Sequence, residues 1–277
     1  MNPWLVVLLA LALLLFLTHP RLYRRRMAPW RGQWFAHRGL HDLARGVVEN
    51  TMPAFEAARD AGYGMELDVQ RTRDGKLAVF HDDDLTRMAG DPRRVTRCTL
   101  AELQALPLGG VEEARIPTLE EVLRAVGGRV PLLIELKNGP DNRRLCAQVM
   151  ALLEQYDGPC LVESFNPLIV TWVRFHAPHV VRGQLVGPMS DYVAQVNQIG
   201  AFFMSGLLGN FAARPDFVAY DVNAPRFFSP HFQRFLFRTP MAAWTVRDDA
   251  VAALVKARRE IGIFENIRPA TDNREPG

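Results

Sequence analysis

The sequence predicts an α/β protein: a (β/α)8 TIM barrel with a small insertion after strand 2, preceded by an N-terminal transmembrane helix. Three observations carry that expectation. Eight short apolar runs alternate with helix-like segments, several of those runs end in polar or charged residues, and a strictly apolar stretch, Trp4–Leu17, opens the chain ahead of an arginine cluster. The strand candidates are Gln33–Ala36, Met65–Val69, Val130–Leu136, Cys160–Ser164, Val180–Leu185, Phe217–Val222, Met241–Val246 and Gly262–Glu265. Helices are expected between most of them, at Thr51–Ala61, Asn142–Tyr156, Leu168–Phe175, Tyr192–Gly200, Ser229–Phe235 and Ala250–Glu260. Continuous apolar strands alternating with helices indicate a parallel sheet, and eight such units suit a closed barrel. An open doubly wound sheet would show a glycine-rich first turn, and no G-x-G-x-x-G is present.

The opening stretch sets the domain plan. A run from Met1 to Thr18 sits at the lower edge of the roughly 17–25 residues that span a hydrocarbon core. A signal-peptide core is the rival, but no positive segment precedes the run and no small-x-small site follows it. Arg21, Arg24, Arg25, Arg26 and Arg31 come next, with no acid before them, and the remaining residues carry a net charge of −2. The basic balance of the chain therefore lies in this segment and not in a nucleic-acid-binding face. These arginines suit membrane lipids with anionic headgroups, at about 1 kcal/mol each, and place the following domain in the cytoplasm. The expected plan is an anchor at 1–20, a basic linker at 21–31, a barrel at 32–270 and a tail at 271–277. Cys98, Cys146 and Cys160 are odd in number and irregularly spaced, which excludes a disulfide framework and a zinc pattern.

One stretch breaks the strand–helix rhythm. At about 70–118, Asp74-Gly75 signals a hairpin turn, a short helix is expected at Leu100–Leu106, and Thr118 with Glu121 forms a capping box for another helix.

Chemistry in such barrels gathers at the C-terminal ends of the strands. Strand one ends in His37-Arg38-Gly39, strand two carries Glu66 and Asp68, strand three ends with Glu135 and Lys137, and strand seven carries Trp244. Glu66 and Asp68 are two apart and share a face. Together with Glu135 they make three carboxylates at one rim, which repel unless a cation lies between them. An all-oxygen set suits Mg2+, Ca2+ or Mn2+. His37 and His81 lie in turn contexts beside these acids and can serve as base and acid near neutral pH. Arg38 and Lys137 point to an anionic ligand such as phosphate.

Phe35-Ala36-His37-Arg38-Gly39, Glu49-Asn50-Thr51, Glu66-Leu67-Asp68-Val69, Asp74-Gly75 and His81-Asp82 resemble, in this order, the glycerophosphodiester phosphodiesterase family. Pro117-Thr118-Leu119, Glu135-Leu136-Lys137, Ser164-Phe165 and Trp244-Thr245-Val246 continue the likeness over roughly 33 to 270. The resemblance implies a (β/α)8 barrel with an insertion after strand two. It implies metal ligation by Glu66, Asp68 and Glu135, with Glu49 contributing near the metal. It also implies His37 and His81 as the acid–base pair, Arg38 and Lys137 on the phosphate, Trp244 packed on the substrate, and Asn50 capping the next helix. Val47-Val48 stands where a proline commonly precedes the glutamate, and Glu163 where many relatives have glutamine. The activity implied is metal-dependent hydrolysis of glycerophosphodiesters to an alcohol and glycerol 3-phosphate. The alternatives are a lysophospholipase D acting on membrane lysolipids, with the anchor holding the barrel mouth near lipid, and a catalytically silent tethered binding protein.

Overall fold

The computed structural model describes residues 2–21, 24–193, 196–224 and 228–270. The tail expected at 271–277 lies outside the described residues. Among the described residues eleven strands are present: β1 Trp34–Ala36, β2 Gly64–Arg71, β3 Leu77–Val79, β4 Asp84–Leu85, β5 Asp91–Arg94, β6 Leu132–Leu136, β7 Cys160–Ser164, β8 Val181–Val186, β9 Phe217–Asp221, β10 Met241–Val246 and β11 Ile261–Phe264. The helices are α1 Pro3–Thr18, α2 Met52–Asp60, α3 Thr86–Ala89, α4 Leu100–Gln104, α5 Leu119–Val126, α6 Asn142–Leu153, α7 Pro167–His176, α8 Gln198–Ser205, α9 Asn210–Ala213, α10 Phe228–Leu236 and α11 Asp249–Ala257.

Eight strands run parallel in the order β1-β11-β10-β9-β8-β7-β6-β2, and pairing of β1 with β2 closes the barrel. All eight correspond to the expected runs. Alternation sorts their side chains. Phe35, Leu133, Leu161, Leu185, Phe217, Ala219, Ala242 and Ile263 form one apolar cluster inside the barrel, and Met27 with Trp30 joins it ahead of β1. The opposite strand faces join the helices in a larger core that includes Met65, Leu67, Val69, Ile134, Leu136 and Val162.

The insertion is a structured unit. β3 folds back antiparallel on β2 around Asp74-Gly75, and β4 pairs with β5. A third apolar cluster, with Phe80, Leu85, Val95, Leu103 and Ile116, fills it. Both ends of the Thr118 capping box form, with Thr118 Oγ1 accepting from the Glu121 amide and Glu121 accepting from the Thr118 amide.

Two expectations need correction. The helix expected at Tyr192–Gly200 begins at Gln198, where the Asn197 side chain caps it by accepting from the Gly200 amide. The N-terminal apolar run is a helix of 16 residues. At about 1.5 Å per residue it reaches about 24 Å, against a hydrocarbon core of about 30 Å. Among the described residues no helix is long and apolar enough to cross a membrane. Its far end is fixed to the barrel, because the Thr18 carbonyl accepts from Asn210 and Gln233. Residues 3–13 stand exposed.

Candidate active site

Strand register brings the acids together. β2 pairs with β6 so that Asp68 faces Glu135, and β6 pairs with β7 so that Glu135 faces Glu163. The three form a row across neighbouring strands toward their C-terminal ends. Glu66 lies two residues before Asp68 on the same face. Glu66, Asp68 and Glu135 each offer an oxygen within 4.8 Å of the others. All three are buried.

Their electrostatics follow from that crowding. Burial, then Asp68 and Glu135, push the Glu66 carboxyl well above its usual range. Burial also raises Glu135, although Lys137 opposes it. Burial works to raise Asp68 too, but Lys137, His81 and Arg38 outweigh it and hold the group low. Lys137 Nζ lies 3.0 Å from Glu135 and 3.4 Å from Asp68. Its charge therefore rests on the acids, and it lines a smaller neighbouring cavity and not the main one. The trio offers three hard oxygen donors, one from each carboxylate, and a divalent cation among them would relieve the repulsion that helps to raise Glu66. The donor set fits a metal of that class.

The His37-Arg38-Gly39 turn fits over this trio. Arg38 has φ 54° and Gly39 φ 80°. A Cβ on Gly39 would lie 2.8 Å from the Ala54 backbone, so only glycine fits against α2. The Arg38 amide donates to Glu66 at 3.0 Å. Its guanidinium donates to Glu49 at 2.7 Å and lies 3.7 Å from Asp68, while its buried Nε lacks a hydrogen-bond partner.

His37 follows β1, with Nδ1 at 3.2 Å from Glu265 and Nε2 at 4.0 Å from Glu66. Burial pushes its pKa down to about 4 against the opposing pull of Glu265. His81 comes from the insertion, with Nδ1 at 2.6 Å from Asp82. Gln70 on β2 holds that loop by donating to the carbonyls of Phe80 and Asp82. His37, Arg38, Glu66, His81, Glu135, Trp244 and Glu163 line one cavity of about 350 Å³. Trp244 meets Phe165 edge-on at 5.7 Å, and its indole N–H is buried without a partner.

Glu49 stands differently from its expected place. It is not in the carboxylate group, and both its oxygens accept from Arg87, one of them also from Arg38. Burial would raise it, but the two arginines bring it down to about 2. Asn50 does not cap α2; its side-chain amide donates to Asp68 at 2.9 Å. Glu163 is buried with one oxygen unpartnered, and burial with Glu135 and Asp68 pushes it well up. Sequence reasoning missed Glu265, Gln70 and Arg87. For Glu265 a signal existed, an acid at the end of an apolar strand.

A (β/α)8 barrel with two histidines facing a cation-ready carboxylate trio at its C-terminal rim has the layout of a metal-assisted hydrolase. The Glycerophosphoryl diester phosphodiesterase family matches residues 37–266, and the chain belongs to that family. The Bacillus subtilis protein YhdW is 35% identical over 175 residues, covering 60% of this chain and 70% of that protein. A glycerophosphodiester phosphodiesterase of Caldanaerobacter subterraneus is 36% identical over 163 residues, covering 54% of this chain and 65% of that one. The fold is similar to an Oleispira antarctica phosphodiesterase solved with the product sn-glycerol-3-phosphate, with TM-score 0.68 and 22% identity over 85% of this chain and 93% of that one.

Proposed function

We propose that this protein hydrolyses glycerophosphodiesters to an alcohol and glycerol 3-phosphate, with a divalent cation as cofactor and His37 and His81 as the acid–base pair. The observation that carries the reading is the Glu66, Asp68 and Glu135 trio, its ligand atoms within 4.8 Å, with Glu66 and Glu135 lining one cavity together with both histidines. Mg2+, Ca2+ and Mn2+ suit the all-oxygen donors. Bound there, the cation would supply charge stabilisation for the phosphoryl oxygens.

The other steps fall to side chains. Arg38, whose guanidinium lines the cavity beside Glu49 and Asp68, holds the phosphate at the rim. Lys137 balances the trio and backs the same charge. Trp244 offers a flat apolar wall and one N–H donor to the substrate. His37, kept neutral by burial and oriented by Glu265, takes the proton from the nucleophile. His81, oriented by Asp82, protonates the leaving alkoxide.

A second reading, hydrolysis of lysolipids, draws on exposed Met189, Val193, Ile199 and Phe202, which follow β8 at the same rim. The N-terminal helix does not favour it, because that helix joins the barrel beside α9, which precedes β9, at the end away from the mouth. A cytoplasmic barrel belongs to the proposal because Cys98, Cys146 and Cys160 are all free, as suits a reducing compartment, and protease digestion of intact and lysed cells tests it.

The deciding experiment is a panel of glycerophosphodiesters and lysolipids assayed after chelation and after adding back each cation. Activity is expected to vanish with chelator and return with Mg2+, Ca2+ or Mn2+. Full turnover in protein shown to be metal-free would defeat the cation assignment, and release of alcohol from lysolipids alone would favour the second reading.

A further inference from the structure

A second cavity, of about 620 Å³, lies where α1 meets the barrel. Arg21, Arg174, Arg182 and Arg214 line it on one side, and Leu15 and Phe16 from the last turn of α1 on the other. It flanks the N-terminal ends of β8 and β9, at the opposite end of the barrel from His37 and His81.

Charge here is not balanced. Asp216, fully buried, is the acid within reach: Arg21 lies 3.6 Å from it, Arg26 3.4 Å and Arg182 3.7 Å. Arg174 and Arg214 have no carboxylate partner among the described residues and donate to backbone carbonyls, Ala212 and His19 respectively. Three guanidinium groups thus share one carboxylate, and two more stand beside them without one among the described residues.

Two buried polar atoms at this cavity also lack hydrogen-bond partners. One is Nη1 of Arg182, a residue only 2% exposed, and the other is Nδ1 of His19. Arg182 donates through Nε and Nη2 to the carbonyls of Ala213 and Arg214, while Nη1 makes no hydrogen bond and lies 3.7 Å from Asp216, too far to be satisfied by it. A buried donor without a hydrogen bond is destabilising. Its burial, opposed by Asp216 and reinforced by Arg21, Arg26 and Arg174, pushes the guanidinium down to about 10, as expected where positive charge is in excess.

We propose that this cavity binds the phosphate of an anionic phospholipid, with the arginines on the headgroup and the exposed apolar helix α1 beside the acyl chains. A phosphate oxygen satisfies Arg182 Nη1 and offsets the excess charge. Free inorganic phosphate would share the headgroup chemistry. The lipid is favoured because Leu15 and Phe16 form one wall and α1 carries exposed Leu5, Leu8, Leu9 and Leu13 away from the barrel. The site sits apart from the proposed catalytic cavity, so it requires nothing of the substrate reading.

Co-flotation of the purified full-length protein with vesicles tests it. Vesicles of phosphatidylcholine alone read the apolar helix, since choline neutralises their phosphate, and vesicles containing phosphatidylglycerol add a phosphate that carries net negative charge. The expected result is binding tighter by on the order of 10-fold or more on the anionic vesicles. Arg174→Gln with Arg214→Gln should lose that preference and keep binding to neutral vesicles, while Arg174→Lys with Arg214→Lys should retain most of it. Turnover of soluble substrate should be unchanged in all, which reports folding separately from lipid binding.

Equal binding of the wild-type protein to both vesicles would overturn the proposal, as would a full preference in the folded glutamine pair. Thermal stabilisation by inorganic phosphate without any vesicle preference would also overturn it, in favour of a soluble-phosphate site. Should the glutamine pair not fold, the wild-type protein still decides: it must prefer phosphatidylglycerol to vesicles made equally anionic with oleate.

Discussion

His37 and His81 share a cavity but are oriented by different acids, Glu265 at 3.2 Å and Asp82 at 2.6 Å. Replacing either histidine by alanine is expected to lower kcat on the order of 10²-fold or more. Glu265→Gln should lower it about 10-fold, with KM little changed, because the ring keeps its place but loses its orienting charge. Steady-state kinetics on folded variants checks all three, and near-wild-type turnover in a histidine variant would make that group structural. Glu49 carries a pH prediction. Its pKa falls from 4.5 to about 2 in the folded protein. The stability it contributes is therefore full above about 4.5 and fades as pH falls through about 2. Glu49→Gln should cost on the order of 2 kcal/mol at neutral pH, and the gap to wild type should close across that window in denaturant titrations. The histidines, Glu66, Asp68 and Glu135 were legible because polar side chains at the ends of apolar strands are costly without a purpose. Glu265 carried the same signal but its pairing with His37 was not legible, nor was the role of Gln70, because those partners are set by barrel closure and by the path of the His81 loop, which no local pattern reports.

At the level of elements, the eight barrel strands could be read because parallel strands buried on both faces write continuous apolar runs. The segment after β8 could not. Its apolar residues Val193, Ile199 and Phe202 are exposed, so periodicity there reports no buried face and set the helix start too early. The insertion was legible as a break in rhythm and as a capping box, yet its contribution to the site was visible only at His81-Asp82. In the structure it also supplies Arg87, which donates to Asp82 at 2.6 Å and to Glu49 at 2.7 Å and so ties the insertion to the rim. The cap itself gives a clean test. Thr118→Ala removes the acceptor for the Glu121 amide and half of the box at the start of α5. Stability should fall by about 1 kcal/mol, read as a shift of the urea midpoint at constant m, with turnover unaffected. An unchanged midpoint would mean that packing of Leu119 and Val122 alone fixes the helix.

For the whole molecule, the N-terminal segment is where sequence and structure part most. Its hydropathy and arginines match a membrane anchor ending near residue 20, and a cut after Arg26 would then free an intact barrel. The structure puts the boundary elsewhere. Unbroken exposure along α1 ends at Leu13, with Phe16 exposed beyond it, and from Thr18 onward several residues are built into the barrel. Thr18 accepts from Asn210 and Gln233, Arg21 and Arg26 reach buried Asp216, and Met27 lies in the barrel's inner cluster. Hydropathy cannot see this, since the docking rests largely on backbone carbonyls of Thr18 and His19 and on arginines that look like a solvated linker. Removing residues 1–13 is therefore expected to leave turnover on soluble substrate and melting temperature nearly unchanged. Removing residues 1–26 strips two of the three guanidinium groups around Asp216 and unpairs two buried side-chain amides. Breaking a buried charge cluster by taking away one side costs about 3–5 kcal/mol, so the melting temperature should fall by roughly 10 °C for a domain of this size. Calorimetry on both truncations decides between the two boundaries, and equal stability of the two would return residues 14–26 to the role of a free linker.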